Sequence, residues 1–202
     1  MNVMQKITEE EYNNLYVTSD THFGHNKEFI YKKRGYENVQ DMNESMIDTI
    51  NTTVGKNGIL LHLGDFCLNT TREEYNNIVR RFNIKSLWLM LGNHNSPIQS
   101  SNCEQMTKIS EFNGKTHIRH LHYYYTFSCK KQSVVCFHFP LVTWDGESNG
   151  SFCLTGHSHG NYNMSLPENK EKKILDVGYC VHGKPLSMKE IENIMSTKGN
   201  NN

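Results

Sequence analysis

The feature that most constrains the fold is a series of short apolar runs that each end in a polar cluster. Residues 59–63 read ILLHL and stop at Gly64, and residues 87–91 read LWLML and stop at Gly92. Near-continuous apolar runs of this length are typical of strands buried on both faces of a parallel sheet. A shorter run at residues 15–18 comes before a polar loop that begins at Ser19. The first half of the chain therefore predicts a βαβαβ order.

The segments between these runs have helical periodicity. Apolar residues at helical spacing predict a helix over residues 40–54, and a capping box at residues 70–73 predicts the start of another. The second half is richer in predicted strands, at residues 120–128, 133–137, 152–155 and 173–177, and a capping box at Ser187 begins a C-terminal helix through Met195. Together these elements predict an α/β (α+β) sandwich of two sheets with helices outside.

Composition and charge narrow the function classes. The chain has 202 residues, which suits one domain over residues 1–195, with a disordered tail at residues 196–202. Equal numbers of basic and acidic residues, 21 of each, exclude a strongly basic nucleic-acid wrapper or a polybasic membrane binder. No apolar run reaches the roughly 18–20 residues of a membrane span.

The predicted location is the cytoplasm of a prokaryotic cell or of a phage-infected host. Residues 1–12 are polar and acidic, unlike a signal peptide. The six cysteines include no C-x-x-C pair, so buried free thiols are favoured over disulfides or a thiolate zinc site.

Five polar clusters follow apolar runs, and ligands of α/β sheets bind beyond the carboxyl ends of strands. Their possible metal ligands are Asp20, His22, Asp65, Asn93, His138, His157 and His159. Seven donors suit two ions, and a bridging Asp65 gives four protein ligands to each. Imidazole and carboxylate without thiolate favour Mn, Fe or Zn over Mg or Ca. Two cations roughly 3.5–4 Å apart form the clamp used in phosphoester displacement.

The ordered motifs D-x-H, GD, GNH, H and GHxH resemble those of the calcineurin-like metallophosphoesterase superfamily. The segment SDTHFGHN at residues 19–26 resembles the corresponding segment of the small bacterial and phage members of that superfamily. The resemblance covers about residues 16–160. It implies a four-layer αββα sandwich of two mixed sheets and a dinuclear metal site.

The resemblance also implies roles for individual residues. One metal would be held by Asp20, His22, Asp65 and His159, and the other by Asp65, Asn93, His138 and His157. A metal-bridging hydroxide would attack in line. His94 would protonate the leaving alkoxide or stabilise charge on the phosphate.

This chain departs from the family pattern at two places. Asn95 follows the GNH motif where the family usually has Asp or Glu, so the charge that would raise the pKa of His94 is absent. We therefore expect His94 to be a weaker acid catalyst than is usual in the family, which favours substrates with good leaving groups. Asp65 is followed by FCLN rather than by Asp-Arg-Gly, which excludes the protein phosphatases and the dinucleoside polyphosphate hydrolases.

Other residues near the motifs could have either a functional or a structural role. Substrate contact is possible for His25, Asn26, Asn95 and Trp144. For His25 and Asn26 a structural role in the loop is equally plausible, and Trp144 would contribute by roofing the pocket. His62, inside an apolar run, is predicted to be a hydrogen-bonded core histidine rather than a ligand. Residues 32–34 read KKR and are predicted to be a solvated face rather than a phosphate guide.

The predicted function is a dinuclear metal-dependent phosphoester hydrolase. A phosphodiesterase is favoured over a monoesterase because the chain is short and lacks a large cap. A nucleotide or cyclic nucleotide is the favoured substrate, and zero net charge speaks against long nucleic acid. The alternative is a weakly active or inactive metal-binding scaffold on the same fold.

Overall fold

A computed structural model describes residues 4–94, 109–112, 116–162 and 172–198. The strands in these residues are β1 (Gln5–Lys6), β2 (Leu15–Thr18), β3 (Ile59–His62), β4 (Ser86–Leu89), β5 (Ile109–Phe112), β6 (Thr116–His120), β7 (Tyr124–Cys129), β8 (Gln132–Phe137), β9 (Phe152–Thr155), β10 (Ile174–Asp176) and β11 (Leu186–Ser187). The α-helices there are α1 (Glu9–Asn13), α2 (Glu28–Tyr31), α3 (Val39–Val54), α4 (Arg72–Arg80), α5 (Tyr179–His182) and α6 (Met188–Ser196).

The described strands form two mixed sheets. One has the order β11-β2-β3-β4-β6-β5 and the other β1-β7-β8-β9-β10. In the six-stranded sheet β2, β3, β4 and β6 are parallel, and the register pairs Thr18 with His62 and His62 with Leu89. In the five-stranded sheet β7 and β8 form an antiparallel hairpin, and β8, β9 and β10 are parallel. The predicted α/β class is confirmed, and the aligned register brings the carboxyl ends of β2, β3 and β4 to one level.

The main core lies between the two sheets. Side chains alternate along a strand, so every second residue of each sheet points inward. Val17, Leu61 and Trp88 of the six-stranded sheet are buried in one cluster with Phe127 and Leu154 of the five-stranded sheet. This contact fixes how the strand ends of one sheet face those of the other.

Helices α3 and α4 cover the outer face of the six-stranded sheet, where Leu60 and Leu87 pack with residues such as Met46 and Val79. The prediction for α3 is confirmed to within one residue at its start. The capping box of α4 lies one residue later than predicted, because the reciprocal partner is Glu74 rather than Glu73. Thr71 caps the helix instead, and its backbone N–H donates to the Glu74 carboxylate at 2.6 Å.

Two other predictions, one about a strand and one about the C-terminal tail, were wrong in their bounds. The strand predicted over residues 120–128 is two strands in different sheets, because Leu121 inserts into the core between the sheets. The predicted tail at residues 196–202 begins too early, since Ser196 belongs to α6 and the Lys198 ammonium donates to the Ile174 carbonyl. Residues 199–202 lie outside the described residues.

The outer face of the five-stranded sheet carries Val135, Cys153 and Ile174, and in the described residues Trp144 packs on them. None of the helices that the structure describes is long and apolar enough to cross a membrane.

Candidate metal centre

Polar residues from five strand ends meet at one edge of the sandwich. Asp20 and His22 follow β2, Asp65 follows β3, Asn93 and His94 follow β4, His138 follows β8, and His157 and His159 follow β9. The first three strands belong to one sheet and the last two to the other. The structure therefore brings together all seven residues that the sequence predicts as ligands, although they are spread over most of the chain.

The first group of ligand atoms is formed by Asp20, His22 and His159, whose donor atoms all lie within 4.8 Å of one another. The His22 Nε2 lies 3.8 Å from Asp20 Oδ1 and 3.7 Å from Asp65 Oδ2. The rings of His22 and His159 are stacked, with centroids 5.6 Å apart. Two ligands at ~2.1 Å from one cation lie ~3–3.5 Å apart, so these separations fit a shared ion after small adjustments.

The second group lies on the other side of Asp65. The His138 Nε2 is 3.5 Å from Asp65 Oδ2 and 3.0 Å from Asn93 Oδ1. The same Asn93 oxygen is 2.9 Å from His157 Nδ1. Asp65 Oδ2 therefore lies next to His22 in one group and His138 in the other, as a bridging carboxylate requires.

The hydrogen bonds of His138 indicate which of its ring nitrogens has a free lone pair. Its Nδ1 lies 3.1 Å from the Leu63 carbonyl, which can only accept, so the Nδ1 carries the proton. In the neutral ring the Nε2 then has a lone pair directed at the oxygens of Asp65 and Asn93. A cation between these three atoms satisfies all of them, and a histidine that donates its other N–H to a carbonyl is typical of metal ligands.

Positive φ angles concentrate at the candidate ligands. The described non-glycine residues with positive φ include Asp20 (57°), His22 (50°), Asp65 (55°), His157 (65°) and His159 (48°). Each such residue costs about 1–3 kcal/mol and persists only where the surrounding structure holds it. Asp20 and His22 are held by backbone bonds to the Gly64 and Asp65 carbonyls, at 3.1 and 3.0 Å. The strain therefore indicates a functional site.

Two glycines allow the strand ends to approach closely. A Cβ on Gly92 would lie 2.2 Å from Asp65 Oδ1, and a Cβ on Gly156 would lie 2.4 Å from Asp20 Oδ2. Both distances are far below van der Waals contact. Only glycine at these positions leaves room for the carboxylates where the structure has them.

The electrostatics of the buried residues fit a cation. Asp20 is fully buried, its pKa is raised by burial, and among the described residues its Oδ1 has no hydrogen-bond partner. Burial lowers the pKa of His22 to about 3, so this imidazole is neutral and able to ligate. Burial acts to raise the pKa of Asp65, but its surroundings, including the hydrogen bond from the His94 backbone N–H, outweigh burial and lower the pKa to about 2. A buried oxygen without a partner in the described residues, a neutral imidazole and an ionised carboxylate are donors that divalent transition metals take.

The predicted acid, His94, lies beside this group. Its backbone N–H donates to Asp65 Oδ1 at 2.7 Å, and its ring centroid is 5.8 Å from that of His22. The ring lines a cleft of about 670 Å³ that opens onto the candidate ligands. Asn95, which the sequence predicts to weaken this acid and to contact substrate, lies outside the described residues.

The structure separates the other predicted substrate residues. His25 lines the cleft, with its ring 5.8 Å from that of His22, whereas Asn26 is exposed and is not among the described lining residues. The expectation for Trp144 was wrong. Its indole N–H donates to Ser151. The ring packs on the outer face of the five-stranded sheet, where it shields apolar side chains from water.

His62 is a core histidine, as predicted. The Gly64 N–H donates to its Nδ1 at 3.3 Å, so its Nε2–H donates to Thr21 Oγ1 at 3.0 Å. The Thr21 hydroxyl in turn donates to the Phe66 carbonyl at 2.8 Å. This chain of bonds supports the loop between Asp20 and His22.

Arg34 was missed by sequence reasoning, which placed it on a solvated face. Its guanidinium donates to the carbonyls of Thr21 at 2.7 Å and Asp20 at 2.9 Å, and it lines the cleft. The residue therefore holds the backbone of the loop that carries two candidate ligands. No local pattern identifies it, because its partners lie in another segment of the chain.

The cysteines are mostly as predicted. Cys67, Cys129, Cys136 and Cys153 are buried and free. Cys180 is an exception, since it is exposed and its Sγ lies 2.7 Å from His159 Nδ1. The sixth cysteine, at position 103, lies outside the described residues.

No family model matches the chain. It is 24% identical over 176 residues to the uncharacterized protein MJ1445 of Methanocaldococcus jannaschii, an alignment that spans 86% of each protein. The fold is similar to that in the crystal structure of the protein of unknown function AQ665 from Aquifex aeolicus, with a TM-score of 0.62 and 19% identity over 89% of this chain and 98% of that one. The second likeness shows a shared fold, and neither name states an activity.

Proposed function

We propose that the chain is a dinuclear metal-dependent phosphoester hydrolase, and most specifically a phosphodiesterase acting on a nucleotide-type or cyclic nucleotide substrate. The proposal includes the four-layer αββα sandwich of the calcineurin-like metallophosphoesterases. The observation that carries it is the His138 Nε2 lone pair, which faces Asp65 Oδ2 at 3.5 Å and Asn93 Oδ1 at 3.0 Å.

The chain would hold two divalent ions in the two groups that share Asp65. Asp20, His22 and His159 complete one set, and Asn93, His138 and His157 complete the other. Mn is the favoured ion, with Fe or Zn as alternatives, because the donors mix imidazole, carboxylate and amide without thiolate. When bound, such ions supply positive charge to the phosphate and lower the pKa of bound water.

The remaining chemistry falls to His94. Its ring lines the cleft beside the metal ligands, and its backbone is fixed by the bond to Asp65. From there a protonated imidazole can donate to the leaving alkoxide, which is general acid catalysis and contributes typically ~10²- to 10⁴-fold.

The preference for a nucleotide-type diester rests on the rest of the cleft. Beyond the metal ligands, the described lining includes Ile30, Tyr36 and Leu68, with the cations Lys33 and Arg34. A volume of about 670 Å³ is larger than a bare phosphate needs and lies in the usual range for small-molecule sites. Apolar and aromatic surface next to positive charge suits an organic ester group that carries a phosphate.

The test is a screen of purified protein with added Mn²⁺ against bis-p-nitrophenyl phosphate, p-nitrophenyl phosphate and cyclic nucleotides. We expect diester hydrolysis that needs the metal and is lost in Asp65→Asn and His157→Ala. The matched control is His122→Ala, which removes an exposed histidine outside the described cleft lining and should leave turnover unchanged. Full activity of either site variant in the presence of chelator would refute the proposal.

Elemental analysis separates the enzyme from the alternative scaffold. Two bound ions together with diester hydrolysis support the enzyme. Two bound ions without turnover of any phosphoester support a metal-binding module on the same fold.

A further inference from the structure

Asp176 is a buried carboxylate that the predicted ligand set does not include. It is the last residue of β10 and is 6% exposed. Its Oδ2 accepts from the Ser158 hydroxyl at 2.6 Å and from the Gly160 N–H at 2.8 Å, and its Oδ1 accepts from the Gly178 N–H at 2.8 Å. In the described part of the chain it forms no ion pair with a Lys, Arg or His side chain. Its described hydrogen-bond donors are therefore neutral groups, and these lie in two separate segments.

The first segment carries two candidate metal ligands. Ser158 stands between His157 and His159, and Gly160 follows directly. Both histidines have left-handed backbone, with φ of 65° and 48°. The two bonds to Asp176 Oδ2 thus fix the loop on both sides of His159. They supply part of the restraint that a strained backbone requires.

The second segment borders the same ligands from another direction. Gly178 forms a bridge with Ser19, and the Tyr179 N–H donates to the Ser19 carbonyl at 2.8 Å, directly before Asp20 in the chain. Cys180, two residues after Gly178, contacts the His159 ring. Through its two oxygens Asp176 therefore joins the backbone that carries His159 to the segment that touches its ring.

We propose that Asp176 is the positioning residue for His157 and His159, and that it sets the affinity of the metal centre without contacting an ion. Without the carboxylate, the half-buried Ser158 hydroxyl and Gly160 N–H lose their acceptor, and the loop relaxes away from its left-handed conformation. This inference rests on the metal centre of the proposed function but not on the reaction that the centre carries out.

The test compares Asp176→Asn with wild type by calorimetric titration with Mn²⁺. Asparagine has the same shape, but its amide nitrogen cannot accept the bonds from Ser158 and Gly160. We expect Mn²⁺ affinity to fall by about 10- to 100-fold, the usual effect of losing a group that orients ligands. The visible absorption of bound Co²⁺ should change as well, because the coordination geometry changes.

The matched control is Glu190→Gln in α6. One oxygen of Glu190 also accepts from a backbone N–H and a serine hydroxyl, both of Ser187, at 2.8 and 2.7 Å. This variant should unfold at a lower temperature and bind Mn²⁺ as wild type does. If Asp176→Asn fails to fold, Ser158→Ala removes one bond to the same carboxylate and should weaken Mn²⁺ binding by about 2- to 10-fold.

The outcomes are distinct. Wild-type Mn²⁺ affinity in Asp176→Asn, or in Ser158→Ala where the first variant does not fold, overturns the inference, as does an equal loss in Glu190→Gln. A wild-type protein that binds two ions but hydrolyses no phosphoester refutes the proposed function and leaves the positioning role open to this same test. A wild-type protein that binds no ion refutes both.

Discussion

Replacing Gly92 by alanine adds one methyl group, and this group perturbs the Asp65 carboxylate that the two candidate metal positions share. The added Cβ would lie 2.2 Å from Asp65 Oδ1 and 2.7 Å from the Asp65 backbone nitrogen. The distance to the carboxylate oxygen is about 1 Å shorter than normal non-bonded contact, and the distance to the backbone nitrogen is also too short. Asp65 must therefore move, and with it the bond from the His94 N–H to Oδ1.

The expected magnitude follows from how little metal sites tolerate displacement. Metal–ligand distances hold to about 0.2 Å, so a shift of about 1 Å in Asp65 removes it from at least one ion. We expect Mn²⁺ affinity to fall by about 100-fold or more, which corresponds to about 2.8 kcal/mol of binding free energy. Diester hydrolysis should fall with it.

The assay is calorimetric Mn²⁺ titration, with thermal unfolding of the metal-free protein as a second measurement. Gly55→Ala is the matched control. Gly55 follows α3 with φ of 69° and ψ of 169°, and a Cβ there meets nothing within 4 Å. That substitution should cost about 1–3 kcal/mol of folding stability through backbone strain alone. It should leave Mn²⁺ affinity unchanged.

The reasoning is refuted if Gly92→Ala binds two Mn²⁺ ions with wild-type affinity. It is also refuted if Gly55→Ala loses as much affinity, since the effect would then reflect general destabilisation.

Three further predictions concern the acid, a core histidine and the exposed thiol. Asn95→Asp should raise turnover of poorly activated diesters, because the added charge keeps His94 protonated, and an unchanged or lower rate would contradict this. Burial lowers the pKa of His62 from an ordinary 6.5 to about 3. The metal-free folded chain should therefore lose stability as the pH falls from about 6.5 towards 3. His62→Gln should reduce this pH dependence, measured as the free energy of chemical unfolding against pH. Alkylation of Cys180 should be faster than that of the buried cysteines and should weaken Mn²⁺ binding by crowding His159, whereas Cys180→Ser should be insensitive to the reagent.

Much of the fold was predictable because buried positions require apolar residues, and the pattern of these residues is visible in the sequence. The apolar runs at residues 15–18 and 59–63 are strands, and the helical spacing before Val54 is a helix, because both faces of a central strand and one face of a covering helix must be apolar. The break at Leu121 left no such trace, since a residue between two sheets is as apolar as one within a strand.

The sequence by itself determined which residue types stand at the strand ends, because glycines and metal-ligand side chains interrupt apolar runs in a recognisable order. Only the tertiary structure decided which of these atoms face one another, such as the Asn93 oxygen between His138 and His157. It alone assigned roles to Arg34 and Asp176. Most of their partners are backbone groups and small side chains 13 to 18 residues away in sequence, and contacts of this kind follow from how the loops fold at the strand ends rather than from any periodic pattern along the chain.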